Sequence, residues 1–233
     1  MTSTDYKHTV LALHGWGGSF ESTFGSTGLV EQLEAKGCSV LRIDLPGHGP
    51  NGGSHQAKDY SDLASLVEAE LPDKPLLAIG FSLGAKVVLE LCTRQPLRFN
   101  KVVLGGLGDN VFAPEKMGME VARALENGVT TETLPAVAGL IEYSKASQSD
   151  PLALAAVLRR NANPVFSLGK LSSVSCAVYL MNGWDDAVAR PEGGLIGALS
   201  NASLTIIPEV NHLNLTSSKF FIDSAVSFLT ETP

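Results

Sequence analysis

Short apolar runs recur along the chain at 9–13, 39–43, 76–79, 101–104, 177–181 and 203–207. Most are almost continuous in apolar character instead of alternating. Strands buried on both faces read that way, so the pattern predicts a parallel sheet covered by helices. Between the runs, glycine-rich turns lead into stretches of helical spacing at 29–36, 60–71, 83–94, 192–199 and 217–229. The last of these offers Phe220, Ala225, Phe228 and Leu229 for one buried face. Strands alternating with helices predict a doubly wound α/β sheet, in which reacting groups gather at the carboxyl ends of the strands.

The rhythm breaks once. From about 109 to 170 no strand pattern occurs, and apolar positions follow helical spacing instead: Met117, Val121 and Leu125; Leu134, Val137, Ala138 and Ile141; Leu152, Ala155, Ala156 and Arg159. This segment is read as a helical cap inserted into a single domain spanning 1–233. The chain shows no internal repeat, low-complexity tract or linker.

Composition narrows the classes. The 233 residues, 44% hydrophobic, suit one substantial core better than two. A net charge of -7 offers no footprint for nucleic acid and no attraction to anionic lipid. No run approaches a membrane-spanning length, and the polar N-terminus lacks the apolar core of a signal peptide. Three scattered cysteines, Cys38, Cys92 and Cys176, form no C-x-x-C pair, so neither a disulfide framework nor a zinc site is indicated. A cytoplasmic protein with reduced thiols is the expectation; oligomeric state is not readable.

The chemistry centres on Gly80, Phe81, Ser82, Leu83 and Gly84. This G-x-S-x-G segment follows a predicted strand and opens a predicted helix, the context a nucleophile elbow requires. A serine hydroxyl needs a base within hydrogen-bond reach, and the base needs an acid to fix its tautomer. On such a scaffold the order is serine, acid, histidine. Of five histidines, only His212 follows Ser82, in a loop after the last strand. For the acid, Asp186 is the choice, in the loop after the run ending at Met181. The adjacent Asp185 is the reserve, and Asp109, after the preceding strand, is a further rival. The N–H groups of Leu83 and Trp16 are candidates for binding an oxyanion. Leu83 directly follows the serine, and Trp16 lies in the glycine-rich loop after the first strand.

These residues resemble the α/β-hydrolase superfamily over nearly the whole chain. The resemblance rests on His14, Gly15 and Trp16 as an oxyanion loop and on the turn from Asp44 to Gly49. It rests further on the elbow from Gly80 to Gly84, Gly183-x-x-Asp186 as an acid loop, and Asn211-His212 as a histidine loop. The fourth position of such a G-x-x-D segment holds the family's acid, which again favours Asp186. Asp44 and His48 are structural in most members. Only eight residues precede the first predicted strand, too few for the hairpin many members carry there, so six core strands are expected instead of eight. Asn211 stands where glycine often precedes the family's histidine.

The resemblance implies a mostly parallel six-stranded sheet and a serine hydrolase needing no metal or organic cofactor. The expected partner is a small ester with an apolar acyl group. Thioesterase, lactonase, carbon–carbon bond hydrolase and cofactor-free haloperoxidase activities use the same triad. A ligand-binding receptor on this fold is the alternative from another class. Carbon–carbon hydrolases of this type often place an arginine near the pocket; Arg159, Arg160 and Arg190 are read as surface charges.

Overall fold

The computed structural model describes residues 6–113, 117–160, 165–190 and 192–231. Six strands form one sheet: β1 His8–Leu13, β2 Cys38–Arg42, β3 Leu76–Phe81, β4 Phe99–Gly105, β5 Ala177–Gly183 and β6 Ala202–Ile207. Every neighbouring pair is parallel, in the order β2-β1-β3-β4-β5-β6. The expected sheet is therefore present, and wholly parallel. The chain winds outward from β1 in one direction and from β3 in the other. The loops after β1 and β3 thus sit side by side at the switch point, where open α/β sheets bind ligands.

The helices are α1 Leu29–Ala35, α2 Leu63–Glu68, α3 Leu83–Arg94, α4 Gly118–Asn127, α5 Pro135–Ser144, α6 Pro151–Arg159, α7 Leu168–Leu171, α8 Gly194–Ala198 and α9 Lys219–Thr230. Alternate strand residues enter two cores. Val10, Ala12, Ile79 and Val103 pack with α1 and α9, whereas Leu11, Leu13, Ala78 and Leu104 pack with α2 and α3. Both faces being covered explains why the strands read as continuous apolar runs.

Two local expectations change. The stretch at 60–71 divides into a 3-10 turn, Ala57–Tyr60, and α2. Asp62 stands between them and caps α2 by accepting from Ser65 N at 3.0 Å. In α9 the buried face is Phe221, Ile222, Ala225, Val226 and Leu229, while Phe220 is 52% exposed. The i, i+3, i+4, i+7 set from Ile222 fits the 3.6-residue period, and Phe220 lies outside that stripe.

Between β4 and β5 every regular element among the described residues is helical. Val121, Val137, Ala155 and Ala156 of the expected apolar faces are buried, and Leu134 and Leu152 are exposed. Among the described residues no helix is long and apolar enough to cross a membrane.

Candidate active site

Ser82 stands between β3 and α3 with φ 51° and ψ -111°, a left-handed backbone that costs a non-glycine residue about 1–3 kcal/mol. Tertiary structure holds it there: its N–H donates to Gly105 O at 2.9 Å, and Lys86 N donates to its carbonyl at 3.0 Å. The flanking glycines have separate reasons. A Cβ at Gly80 would lie 2.7 Å from both N and Cα of Ala85, so β3 and α3 could not turn so tightly. A Cβ at Gly84 would overlap the carbonyl oxygens of Leu13 and His14, so α3 could not pack against the end of β1.

His212 reaches this elbow from the loop after β6. Its Nε2 is 3.0 Å from Ser82 Oγ, and its Nδ1 is 2.7 Å from Asp186 Oδ2. Phe81 supports the imidazole, with ring centroids 5.0 Å apart. Gly106, at φ +64°, lets the β4 loop pass close by, since a Cβ there would lie 2.9 Å from His212 Cε1. The acid and histidine loops are tied through Trp184 N to Ile207 O at 2.8 Å and Asp185 N to Val210 O at 2.9 Å. Asn211 builds the histidine turn itself: its Oδ1 accepts from Leu213 N and Asn214 N, and its N–H donates to Asn214 Oδ1. The absence of glycine there leaves the imidazole in place.

Asp186 is fully buried, and its Oδ1 accepts from both Val188 N and Ala189 N at 2.8 Å. Burial pushes its carboxyl upward, but the hydrogen bond from His212 and those two amides outweigh it and hold the carboxyl below the usual range. An ionised Asp186 accepts from Nδ1–H, which leaves the Nε2 lone pair facing the Ser82 hydroxyl. The two rival acids go elsewhere. Asp185 is exposed. Asp109 caps α8, accepting from Gly194 N at 2.8 Å and Leu195 N at 2.9 Å.

Leu83 is the first residue of α3, where an amide has no intrahelical acceptor. Neither its N–H nor that of Trp16 donates a hydrogen bond among the described residues. The two loops touch, since a Cβ at Gly15 would lie 3.3 Å from Ser82 Cβ. The Trp16 indole donates to Leu154 O of α6 at 3.4 Å, joining this loop to the helical insertion.

A cavity of about 110 Å³ opens beside Ser82, walled mainly by Trp16, Leu107, Val121, Leu140, Tyr143 and Leu158. Four of these six come from the helical segment between β4 and β5. Two cations also line it, Lys86 and Arg160, both more than nine-tenths buried. Arg160 therefore departs from its reading as a surface charge. It follows α6 directly, and its Nη1 donates back to Val157 O. An arginine at a helix end normally reaches solvent, and only the packing of α6 shows that this one does not. The other two arginines are placed as expected: Arg190 is exposed, and half-buried Arg159 pairs with Glu126 at 2.6 Å.

A parallel sheet carrying a strained serine, an imidazole and a buried carboxylate at its switch point defines an α/β hydrolase scaffold. The profile of the alpha/beta hydrolase family matches residues 10–223, and the chain belongs to that family. Among its relatives, it is 24% identical to a pimeloyl-[acyl-carrier protein] methyl ester esterase of Nitrosospira multiformis, covering 89% of each chain. It is 27% identical to a 2-hydroxy-6-oxononadienedioate/2-hydroxy-6-oxononatrienedioate hydrolase of Cupriavidus pinatubonensis, over 95% of this chain and 86% of the relative. Among solved structures, an alpha/beta hydrolase enzyme from a Medee basin deep-sea metagenome library superposes with a TM-score of 0.77 at 15% identity. That match covers all of this chain and 92% of the other.

Proposed function

We propose that the protein is a serine hydrolase that cleaves carboxylic esters through Ser82, His212 and Asp186. The observation carrying this reading is the unbroken hydrogen-bonded line from Ser82 Oγ through both nitrogens of His212 to Asp186. Ser82 Oγ attacks the ester carbonyl while His212 Nε2 takes the hydroxyl proton. The amides of Leu83 and Trp16 hold the oxygen that becomes negative. His212 returns the proton to the departing alcohol, and Asp186 stabilises the imidazolium between these steps. Water, activated by the same imidazole, then releases the acid from Ser82.

The residues at 109–170 serve as a cap in this reading, because Val121, Leu140 and Tyr143 from α4 and α5 close the cavity over the serine. Their apolar walls suit a small ester with an apolar acyl group. The esterase among the relatives supports ester cleavage. The hydrolase of the dienedioate type and the buried Arg160 in the pocket favour carbon–carbon bond hydrolysis as a second reading.

A fluorophosphonate probe with mass analysis tests the nucleophile: a single adduct on Ser82 is expected, and none on Ser82→Ala. The same variant should lose a factor of about 10³ or more in kcat on p-nitrophenyl acetate. Turnover retained in Ser82→Ala removes this mechanism. Turnover of vinylogous diketone substrates above that of all esters replaces the ester reading with the second one.

A further inference from the structure

We propose that His14 is a positioning residue that sets the direction of the Trp16 N–H, an inference that rests on the hydrolase reading above. His14 is completely buried, directly before the loop whose Trp16 amide is proposed to hold the oxyanion. Its ring bridges two loops. Nε2 accepts from Leu45 N at 2.9 Å, which commits the proton to Nδ1, and Nδ1 donates to Gly15 O at 2.7 Å. Gly18 N donates to the same carbonyl at 3.1 Å.

The consequence follows from the peptide unit. The Gly15–Trp16 bond is trans, since the described residues contain no cis peptide. In a planar trans peptide the C=O of one residue and the N–H of the next point in opposite directions. Two donors pulling the Gly15 carbonyl into its own turn therefore turn the Trp16 N–H outward. The elbow adjoins this peptide, since a Cβ at Gly15 would lie 2.9 Å from the Phe81 ring and 3.3 Å from Ser82 Cβ. Without His14, the Gly18 amide alone would hold a peptide flanked by two residues of high freedom, Gly15 and Gly17.

The surroundings keep the imidazole in the required form. Burial lowers its pKa to about 4 against the raising effects of Gly15 O and Asp44, so it stays neutral where hydrolysis is assayed. Asp44 Oδ1 lies 3.6 Å from Nε2 and is itself occupied by Phe20 N at 2.6 Å. The His48 ring stands edge-on at 5.1 Å. The turn after β2 thus acts as the anchor, and the ring transmits its position to the loop after β1.

Three variants separate alignment from packing. His14→Phe keeps the ring and loses both hydrogen bonds. His14→Asn places an amide N–H near the Nδ1 position, and His14→Gln places its amide near Nε2. We expect His14→Phe to lower kcat about 10–100-fold with KM within about threefold, because the lost contact serves the developing charge. Affinity for a boronic acid that forms a tetrahedral adduct with Ser82 should fall in step with kcat. His14→Asn should recover most of both, and His14→Gln neither. An unchanged kcat in His14→Phe, or a loss carried by KM with boronate affinity intact, overturns the proposal. If the variants do not fold, nitrogen-15 NMR of the unaltered protein decides. A proton on Nδ1 of His14 and a downfield move of the Trp16 amide on boronate binding support it; a proton on Nε2 or a stationary Trp16 amide overturns it. Absence of fluorophosphonate labelling at Ser82 in the unaltered protein is the separate result that removes the hydrolase reading.

Discussion

Acidification from pH 8 to pH 5 should weaken the fold by about 4 kcal/mol through two buried imidazoles. Burial lowers His14 to about 4, opposed by Gly15 O and Asp44. Burial also lowers His48 to about 3, with His14 adding to the effect. In the unfolded chain both return to 6.5. These are bases whose folded pKa is depressed, so their contribution is complete above 6.5 and is lost as the pH falls toward the folded values. At pH 5 both are still neutral in the native protein, while the unfolded chain has bound nearly two protons. Each then costs about 1.4 kcal/mol per pH unit over 1.5 units, or about 2 kcal/mol. The figure depends only on the folded values lying below 5, so the interaction between the two rings does not enter. Carboxylates held low, such as Asp186, add their own losses chiefly below about pH 4. Urea unfolding followed by tryptophan fluorescence at pH 8, 6.5 and 5 measures the effect. His48→Leu should remove about half of it, since one of the two titrating rings is then gone. Stability constant within about 1 kcal/mol from pH 8 to pH 5 would show that these rings are not held neutral in the fold.

Gly106→Ala should reduce kcat by at least about tenfold while stability falls by only about 1–3 kcal/mol, because its Cβ would press on His212 Cε1 at a left-handed position. Kinetics and thermal melts on the same preparation separate the two losses. Gly84→Ala should cost about 3 kcal/mol or more, since the new methyl would meet the backbone oxygens of Leu13 and His14, which cannot rotate away. Failure to isolate folded protein, or a large fall in urea midpoint, is the expected result. Asp109→Ala should lose about 1 kcal/mol through the uncapped α8 and keep kcat, because His212 donates its Nδ1–H to Asp186. A collapse of kcat in that variant would return Asp109 to the site.

The elements nearest the chemistry were the most legible. Each strand produced a run of apolar residues, and the glycines around Ser82 reported a turn that no side chain at those positions would permit. The histidine followed from order alone, being the single one after Ser82. The choice among three aspartates was less determined, because all lie in strand-end loops and aspartate also favours turns and caps. Asp109 fills such a cap, a role visible only once α8 is seen to start beside it. Arg160 and Phe220 were misread for related reasons. A charged residue at a helix end and an aromatic residue in an apolar helix have default placements, and packing overrode both.

Chain order and residue type by themselves determined the covered parallel sheet, the tight turn at Ser82, the one histidine that follows it and the short list of aspartates. Those properties depend on neighbours within a few residues or on the count of one residue type. Tertiary structure decided which carboxylate meets His212, which cations enter the pocket, and what the His14 ring holds. Each of these pairs segments apart in the chain: Asp186 meets His212 across 26 residues, His212 meets Ser82 across 130, and His14 meets Leu45 across 31. Local periodicity carries no record of such distances, because they are fixed by the order in which the strands assemble and by the packing of the loops at their ends.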